Sequence, residues 1–257
     1  MKSDNKYMLA SDYDGTLCIY GAVSRENIEA IGELRKKGDL FVISTGRDYF
    51  DAYYFFKVNH SFEYDFLIMN NGAQACDSRG NCIFEAAVCE GKLFSKELIK
   101  RCIELTRDEC IVSFEKDHVI FNVENIKNEK LNELNNINEF VAMHLKCENG
   151  REAKRVSETL NREYGKFINA ACNGRCIDII KEGISKTHGI IKLADHLGVA
   201  KNNIWTVGDN YNDVDMVKAF HGCAMLGSPD EVINAAEFVC KSVADAIALM
   251  SVYARDI

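Results

Sequence analysis

The run Tyr7-Met8-Leu9-Ala10-Ser11-Asp12-Tyr13-Asp14-Gly15-Thr16 decides how the chain is read. Tyr7 to Tyr13 has the length and apolar content of a strand covered on two faces. It closes on two carboxylates, Asp12 and Asp14, before Gly15 permits a sharp turn. Side chains two apart on an extended chain share a face, so both acids can address one ligand. By itself the string Asp-x-Asp-Gly also fits a solvated turn or a calcium loop. An EF-hand loop, however, needs glycine at its sixth position and glutamate at its twelfth, whereas here the glycine is fourth and an apolar strand precedes it.

Outward from this run, short apolar stretches alternate with helical periodicity as far as Asn71, the pattern of a parallel sheet with crossover helices. Ser24 is placed to cap a helix whose Ile28, Ile31 and Leu34 share one face, and Gly38 closes it. Leu40 to Ser44 and Phe66 to Met69 read as further buried strands. Between Ala73 and Gly183 the texture changes to hairpin signals, Ser78-Arg79-Gly80-Asn81 and Asn173-Gly174, with helical segments near Ser95 to Thr106 and Arg151 to Tyr164. Glu124 to Glu139, rich in Asn and Lys, fits either a loop or a loosely packed helix. Alternation resumes at Ser185, with a helix to Leu197, a strand at Ile204 to Val207, a helix over Val214 to Phe220 and a strand at Cys223 to Leu226. Pro229, the only proline, suits the first turn of a short helix. The expected fold class is α/β: residues 1–72 and 184–257 form a Rossmann-like parallel-sheet core, and residues 73–183 form an inserted α+β module.

Parallel sheets bind ligands beyond the carboxyl ends of their strands. At the second such end Ser44-Thr45-Gly46-Arg47 offers a hydroxyl and closely spaced N–H groups, a seat for phosphate oxygens. The strand at Ile204 runs into Gly208-Asp209-Asn210-Tyr211-Asn212-Asp213, adding two acids and amides to the same edge. Acids gathered this way repel unless a cation joins them, and oxygen donors beside phosphate point to Mg²⁺. Lys186, at the start of the helix after Gly183-Ile184-Ser185, can neutralise phosphate charge, although a lysine at a helix start is as a rule merely solvated.

Composition excludes several classes. The chain has 257 residues, 47% apolar and 27% charged, with a formal charge of -8. No basic run is interleaved with aromatics, so nucleic acid is not an expected partner. Met1 to Lys6 does not resemble a leader peptide, and no stretch of about 18 apolar residues suggests a membrane span, so a cytoplasmic location is expected. Eleven cysteines is an odd number in a chain long enough not to need disulfides. They are expected to be reduced, and neither Cys76/Cys82 nor Cys172/Cys176 has zinc-ligand spacing.

Together these stretches resemble the four motifs of the haloacid dehalogenase superfamily: Asp12-Tyr13-Asp14-Gly15-Thr16 the first, the Thr45 region the second, Lys186 the third, and Gly208 to Asp213 the fourth. Only 30 residues separate Asp14 from Thr45, and the large insertion follows the second motif. With Asn71-Gly72-Ala73 and Gly183-Ile184-Ser185-Lys186, the chain is similar to Cof-type phosphatases carrying a type IIB α/β cap. The resemblance implies that Asp12 is the nucleophile and Asp14 the general acid and base. It implies that Thr45, Gly46, Lys186 and Asn212 hold the phosphoryl group. It further implies Mg²⁺ bound by Asp12, the Asp14 carbonyl and Asp209, with Asp213 in support. The expected substrate is a small phosphorylated metabolite such as a sugar phosphate. A phosphomutase on the same two aspartates is the alternative outcome, and a non-catalytic regulatory protein a more distant one. Lys186-Thr187-His188-Gly189 departs from relatives that place glycine directly after the lysine. His188 is expected at the surface, as are Arg79, Arg151, Arg155 and Arg175. No sequence feature specifies an oligomeric state.

Overall fold

The computed structural model describes residues 6–54, 56, 62–88, 91–106, 111–116, 119–123 and 139–253. The N-terminal part runs through β1 (Met8–Ser11), the short hairpin β2 (Cys18–Ile19) and β3 (Ala22–Val23), α1 (Arg25–Lys36), β4 (Leu40–Ser44), β5 (Phe66–Met69), β6 (Gln74–Asp77) and β7 (Cys82–Glu85). There follow α2 (Lys92–Thr106), β8 (Ile111–Lys116), β9 (Val119–Val123), β10 (Ala142–Lys146), α3 (Gly150–Tyr164), β11 (Ile168–Asn173) and β12 (Cys176–Lys181). The chain closes with α4 (Lys186–Leu197), β13 (Ile204–Gly208), α5 (Val214–Ala219), β14 (His221–Met225), α6 (Asp230–Ala235), β15 (Phe238–Cys240) and α7 (Val243–Tyr253).

The described residues up to Thr45, those from Phe56 to Phe84 and those from Ser185 onward pack as one compact unit. Its eight-stranded sheet has the order β15-β14-β13-β1-β4-β5-β6-β7. β1 lies at its centre, parallel to both neighbours, with Ala10 opposite Thr206 of β13 and Val42 of β4. Every residue of β1, β4 and β13 is buried, as expected of strands covered on both faces. Ser24 caps α1 by accepting from the Asn27 N–H, Ile31 and Leu34 face inward, and Gly38 follows with φ +92°. Pro229 stands one position earlier than expected, as the residue capping α6 rather than inside its first turn.

One boundary differs from the sequence expectation. The β6–β7 hairpin, assigned there to the insertion, extends the first unit's sheet, with Ala75 of β6 antiparallel to Ile68 of β5. A turn signal specifies a hairpin but not its partner, and here the open edge of β5 takes it, burying Ala75 and Cys76 completely.

The second unit comprises residues 46–54 and the described residues from Glu85 to Ile184. Its five strands have the order β11-β12-β10-β8-β9, with antiparallel pairing throughout. Alternation divides the sheet into two faces. Met143, Leu145, Ala170, Ile177 and Ile179 are buried with Leu98, Ile99 and Cys102 of α2 and Val156 and Leu160 of α3. The intervening positions include His144 and Asp178, which face one another in register. Cys172 pairs with Ile177 and Cys176 with Asn173, so these two thiols fall on opposite faces and do not converge on a metal. Residues 124–138, for which the sequence admits a loop or a loose helix, lie outside the described residues. Among the described residues no helix is long and apolar enough to cross a membrane.

Candidate active site

The order β13-β1-β4 brings the carboxyl ends of three strands side by side. Asp12 continues β1 by one residue, its N–H donating to the Val207 carbonyl at 2.9 Å. Tyr13 turns its ring into the core against Phe56, centroids 4.3 Å apart, which leaves Asp12 buried and Asp14 exposed on either side of it. The chain then bends at Gly15, φ +89°, and the Gly15 N–H donates to the Cys18 carbonyl at 3.0 Å. Gly15 presses against the Asp209 carboxylate so closely that a Cβ there would lie 2.4 Å from Oδ2. Thr16 holds the same carboxylate, donating from Oγ1 to Oδ1 at 2.6 Å.

Lys186 opens α4 and is only 1% exposed. Its Nζ donates to Asp12 Oδ1 at 2.5 Å and to Asp213 Oδ1 at 2.6 Å. A buried ammonium placed this way is no solvated helix-start lysine; its third N–H remains for a ligand oxygen. Asp213 accepts on its other oxygen from the N–H groups of Asp209 and Asn210, at 3.0 and 3.1 Å. Both of its oxygens are therefore engaged by protein donors. That suits a residue shaping the Gly208–Asp213 loop and supporting a cation from behind.

Burial sets the electrostatics. It lifts the Asp12 carboxyl to about 8, against the pull of Lys186 and with the repulsion of Asp213 and Asp209. Burial also lifts Asp209, opposed by the Thr16 hydroxyl. For Lys186, burial favours the neutral amine, but Asp12 and Asp213 outweigh it and the ammonium is held above its ordinary range. One buried cation thus faces three carboxyl groups, and ionising all three gathers an excess of negative charge that a divalent ion would relieve. Asp12, Asp209 and Asp213 each offer an oxygen within 4.8 Å of the others. An all-oxygen donor set with an acid left over fits a hard ion such as Mg²⁺.

The remaining predicted residues are distributed around this centre. Thr45 is buried at the end of β4, its N–H on the Ile68 carbonyl at 2.9 Å. Gly46 groups with the second unit. Asn212, exposed in the short turn Tyr211–Asp213, donates its amide to Asn71 Oδ1 at 3.2 Å. His188 is exposed, as are Arg79, Arg151, Arg155 and Arg175. The site depends also on residues to which the sequence assigns no role of their own: Thr16, Asn71 and the glycine pair Gly72 and Gly189. A Cβ on Gly189 would meet the Gly72 Cα at 2.8 Å, so the first turn of α4 rests directly on the Asn70–Gly72 backbone. The glycine displaced by two positions from its usual place after the lysine here serves that close approach; its isolated position in a helical pattern was the available signal.

A sequence profile of the haloacid dehalogenase-like hydrolases matches residues 9–250, and the chain belongs to that family. The 5-amino-6-(5-phospho-D-ribitylamino)uracil phosphatase YcsE of Bacillus subtilis is 28% identical over 237 residues, covering 90% of this chain and 88% of that protein. A second phosphatase of the same name from that organism, YitU, is 26% identical over 243 residues, covering 85% of each. Among solved structures, the subclass IIB sugar phosphatase BT4131 superposes with a TM-score of 0.73 at 20% identity, covering 97% of this chain and 98% of its own. BT1666 from Bacteroides thetaiotaomicron gives 0.72 at 24% identity, covering 99% and 96%. The two solved structures share the fold of this chain.

Proposed function

We propose that the protein is a Mg²⁺-dependent phosphatase that hydrolyses small phosphorylated metabolites through an aspartyl-phosphate on Asp12. The observation that carries this is the buried Asp12 carboxylate, fixed at 2.5 Å from the Lys186 ammonium beside Asp209 and Asp213. In the first step an Asp12 oxygen attacks phosphorus in line, the ester P–O bond breaks, and Asp14 gives its proton to the departing oxygen. In the second, Asp14 takes a proton from water, whose oxygen attacks the same phosphorus and frees Asp12. Asp14 stands exposed, as a group that exchanges protons with solvent and leaving group must. Lys186, Thr45, Gly46 and Asn212 hold the phosphoryl oxygens. Asp12, Asp209 and the Asp14 carbonyl would hold Mg²⁺, with Asp213 in support, and the ion would supply charge neutralisation for the approach of one anion to another.

The second unit is assigned the selection of the leaving group. On the sheet face opposite its helices, His144 Nδ1 lies 2.9 Å from Asp178 Oδ1. Asp48 of the same unit is lifted by burial, against the Asp51 N–H and the His144 imidazole. Such polar groups suit a hydroxylated partner. The names of YcsE, YitU and BT4131, all phosphatases of phosphorylated sugar-like or polyol-bearing compounds, support the same substrate class.

The test is phosphate release from a panel of sugar and polyol phosphates and an aryl phosphate, with Mg²⁺ and with chelator, against Asp12→Asn. Release that requires Mg²⁺ and disappears in the folded variant is expected. Wild-type turnover in Asp12→Asn would refute the mechanism. Phosphoryl exchange between sugar positions, without release, would identify a mutase instead.

A further inference from the structure

Three consecutive residues after β5 have positive φ: Asn70 at +50°, Asn71 at +50° and Gly72 at +100°. Left-handed backbone is unfavourable for residues with a Cβ, and asparagine tolerates it better than most. A connection from β5 back to β6 requires a turn, but glycine would meet the backbone demand at position 71 without strain. The asparagine side chain is therefore not explained by the turn alone.

What the turn touches supplies the explanation. The Asn71 N–H donates to the Thr45 carbonyl at 3.1 Å. Asn71 Oδ1 accepts from Asn212 Nδ2 at 3.2 Å. Gly72 abuts the start of α4, where an added Cβ would lie 1.9 Å from the Ser185 carbonyl oxygen and 3.1 Å from the Lys186 nitrogen. One strained turn thus contacts the ends of three segments that the proposed mechanism uses to hold phosphate. Strain retained at such a junction is the mark of a functional constraint. Asn212 is exposed and sits in a turn of three residues, so nothing in its own short helix fixes its amide. Anchoring one of its two N–H groups on Asn71 leaves the other in a set direction for a phosphoryl oxygen.

We propose that Asn71 is a positioning residue for phosphoryl transfer, acting through the Asn212 amide and through the Thr45 backbone. The inference rests on the phosphatase reading of the same site. Asn71 touches no reacting atom; it aims groups that do.

The decisive comparison is a double-variant cycle of Asn71→Gly, Asn212→Ala and both together, read by kcat/KM, by melting temperature and by Mg²⁺-dependent affinity for orthovanadate. Glycine keeps the left-handed backbone and the N–H to Thr45 while deleting only the amide acceptor. Asn71→Gly is expected to melt within a few degrees of wild type yet lose about 3- to 10-fold in kcat/KM and vanadate affinity, the worth of one net hydrogen bond. In the Asn212→Ala background the same change should cost nothing further. Unchanged kcat/KM and vanadate affinity in Asn71→Gly, or losses that multiply in the double variant, would overturn the proposal. Wild-type silence in phosphate release would remove the phosphatase reading instead, and the vanadate cycle would still decide whether Asn71 aims an oxyanion-binding amide.

Discussion

Replacing Lys186 with methionine keeps most of the side-chain volume and removes only the charge. In the native site the ammonium is bonded to Asp12 and Asp213, which are 6% and 0% exposed. Without it, two buried carboxylates face one another. Deleting one partner of a buried ion pair costs about 3–5 kcal/mol, because the remaining charge is stranded. For a chain of this size each kcal/mol moves the melting temperature by about 2–4 °C, so the metal-free variant should melt about 6–20 °C below wild type. The loss has a defined pH dependence. The Asp12 carboxyl is already lifted to about 8 by burial, against the Lys186 attraction, and losing that attraction lifts it further. A folded state that holds a proton the unfolded chain releases is stabilised as pH falls; wild type holds it below about pH 8 and the variant to higher pH still, so the deficit should be largest near pH 9 and smaller, and nearly level, between pH 7 and pH 5. Saturating Mg²⁺ should recover part of the stability, by binding the folded state alone, but little of the activity. Scanning calorimetry at pH 5, 7 and 9, with chelator and with Mg²⁺, measures all of this. A variant melting within about 2 °C of wild type at pH 9 in chelator would refute the view that Lys186 neutralises these acids.

Two further outcomes follow from the same geometry. Gly72→Ala combines a positive φ with a Cβ directed at the Ser185 carbonyl, and should lower stability by about 2–5 kcal/mol in urea titration; a midpoint equal to wild type would contradict the described packing. Mg²⁺ binding near pH 6–7 should expel about one proton, since Asp12 must ionise to serve as a ligand, and expel almost none above pH 9. Titration calorimetry in buffers of different ionisation heat reads this directly, and a heat independent of buffer at pH 6.5 would count against Asp12 as ligand.

The parallel strands β1, β4, β5, β13 and β14 were legible because each contains an apolar run, and the burial of β1, β4 and β13 on both faces is what such runs require, whereas β15, three residues long, offers too short a run to be read. Asp12, Asp209 and Asp213 could be gathered in advance, since strand ends of one sheet must share an edge, while Lys186, at a helix start, is placed with them by the family resemblance. The ownership of the β6–β7 hairpin could not, because local turn chemistry is silent about which edge a hairpin joins. Nor could the Asn71 to Asn212 bond or the Gly72 to Gly189 approach be foreseen, since both depend on how the Asn70–Gly72 turn meets segments far away in sequence, the Tyr211–Asp213 turn and the start of α4. The engagement of both Asp213 oxygens was likewise hidden, as a carboxylate's bonding partners are fixed by loop geometry and not by spacing.

The central place of β1 bears on how the chain comes together during synthesis. Met8 finds one neighbour in Leu40 soon after both emerge, but the other, Ile204, follows only after the whole second unit. The second unit, by contrast, closes its whole sheet between Ile111 and Lys181. Local pairing is fast and distant pairing slow, so the inserted unit should fold on the ribosome while β1, β4 and β5 wait with one apolar edge open. The strand that leads into Asp12 is thus completed only after the second unit has been made, and the acidic centre cannot form before Asp209 and Asp213 emerge.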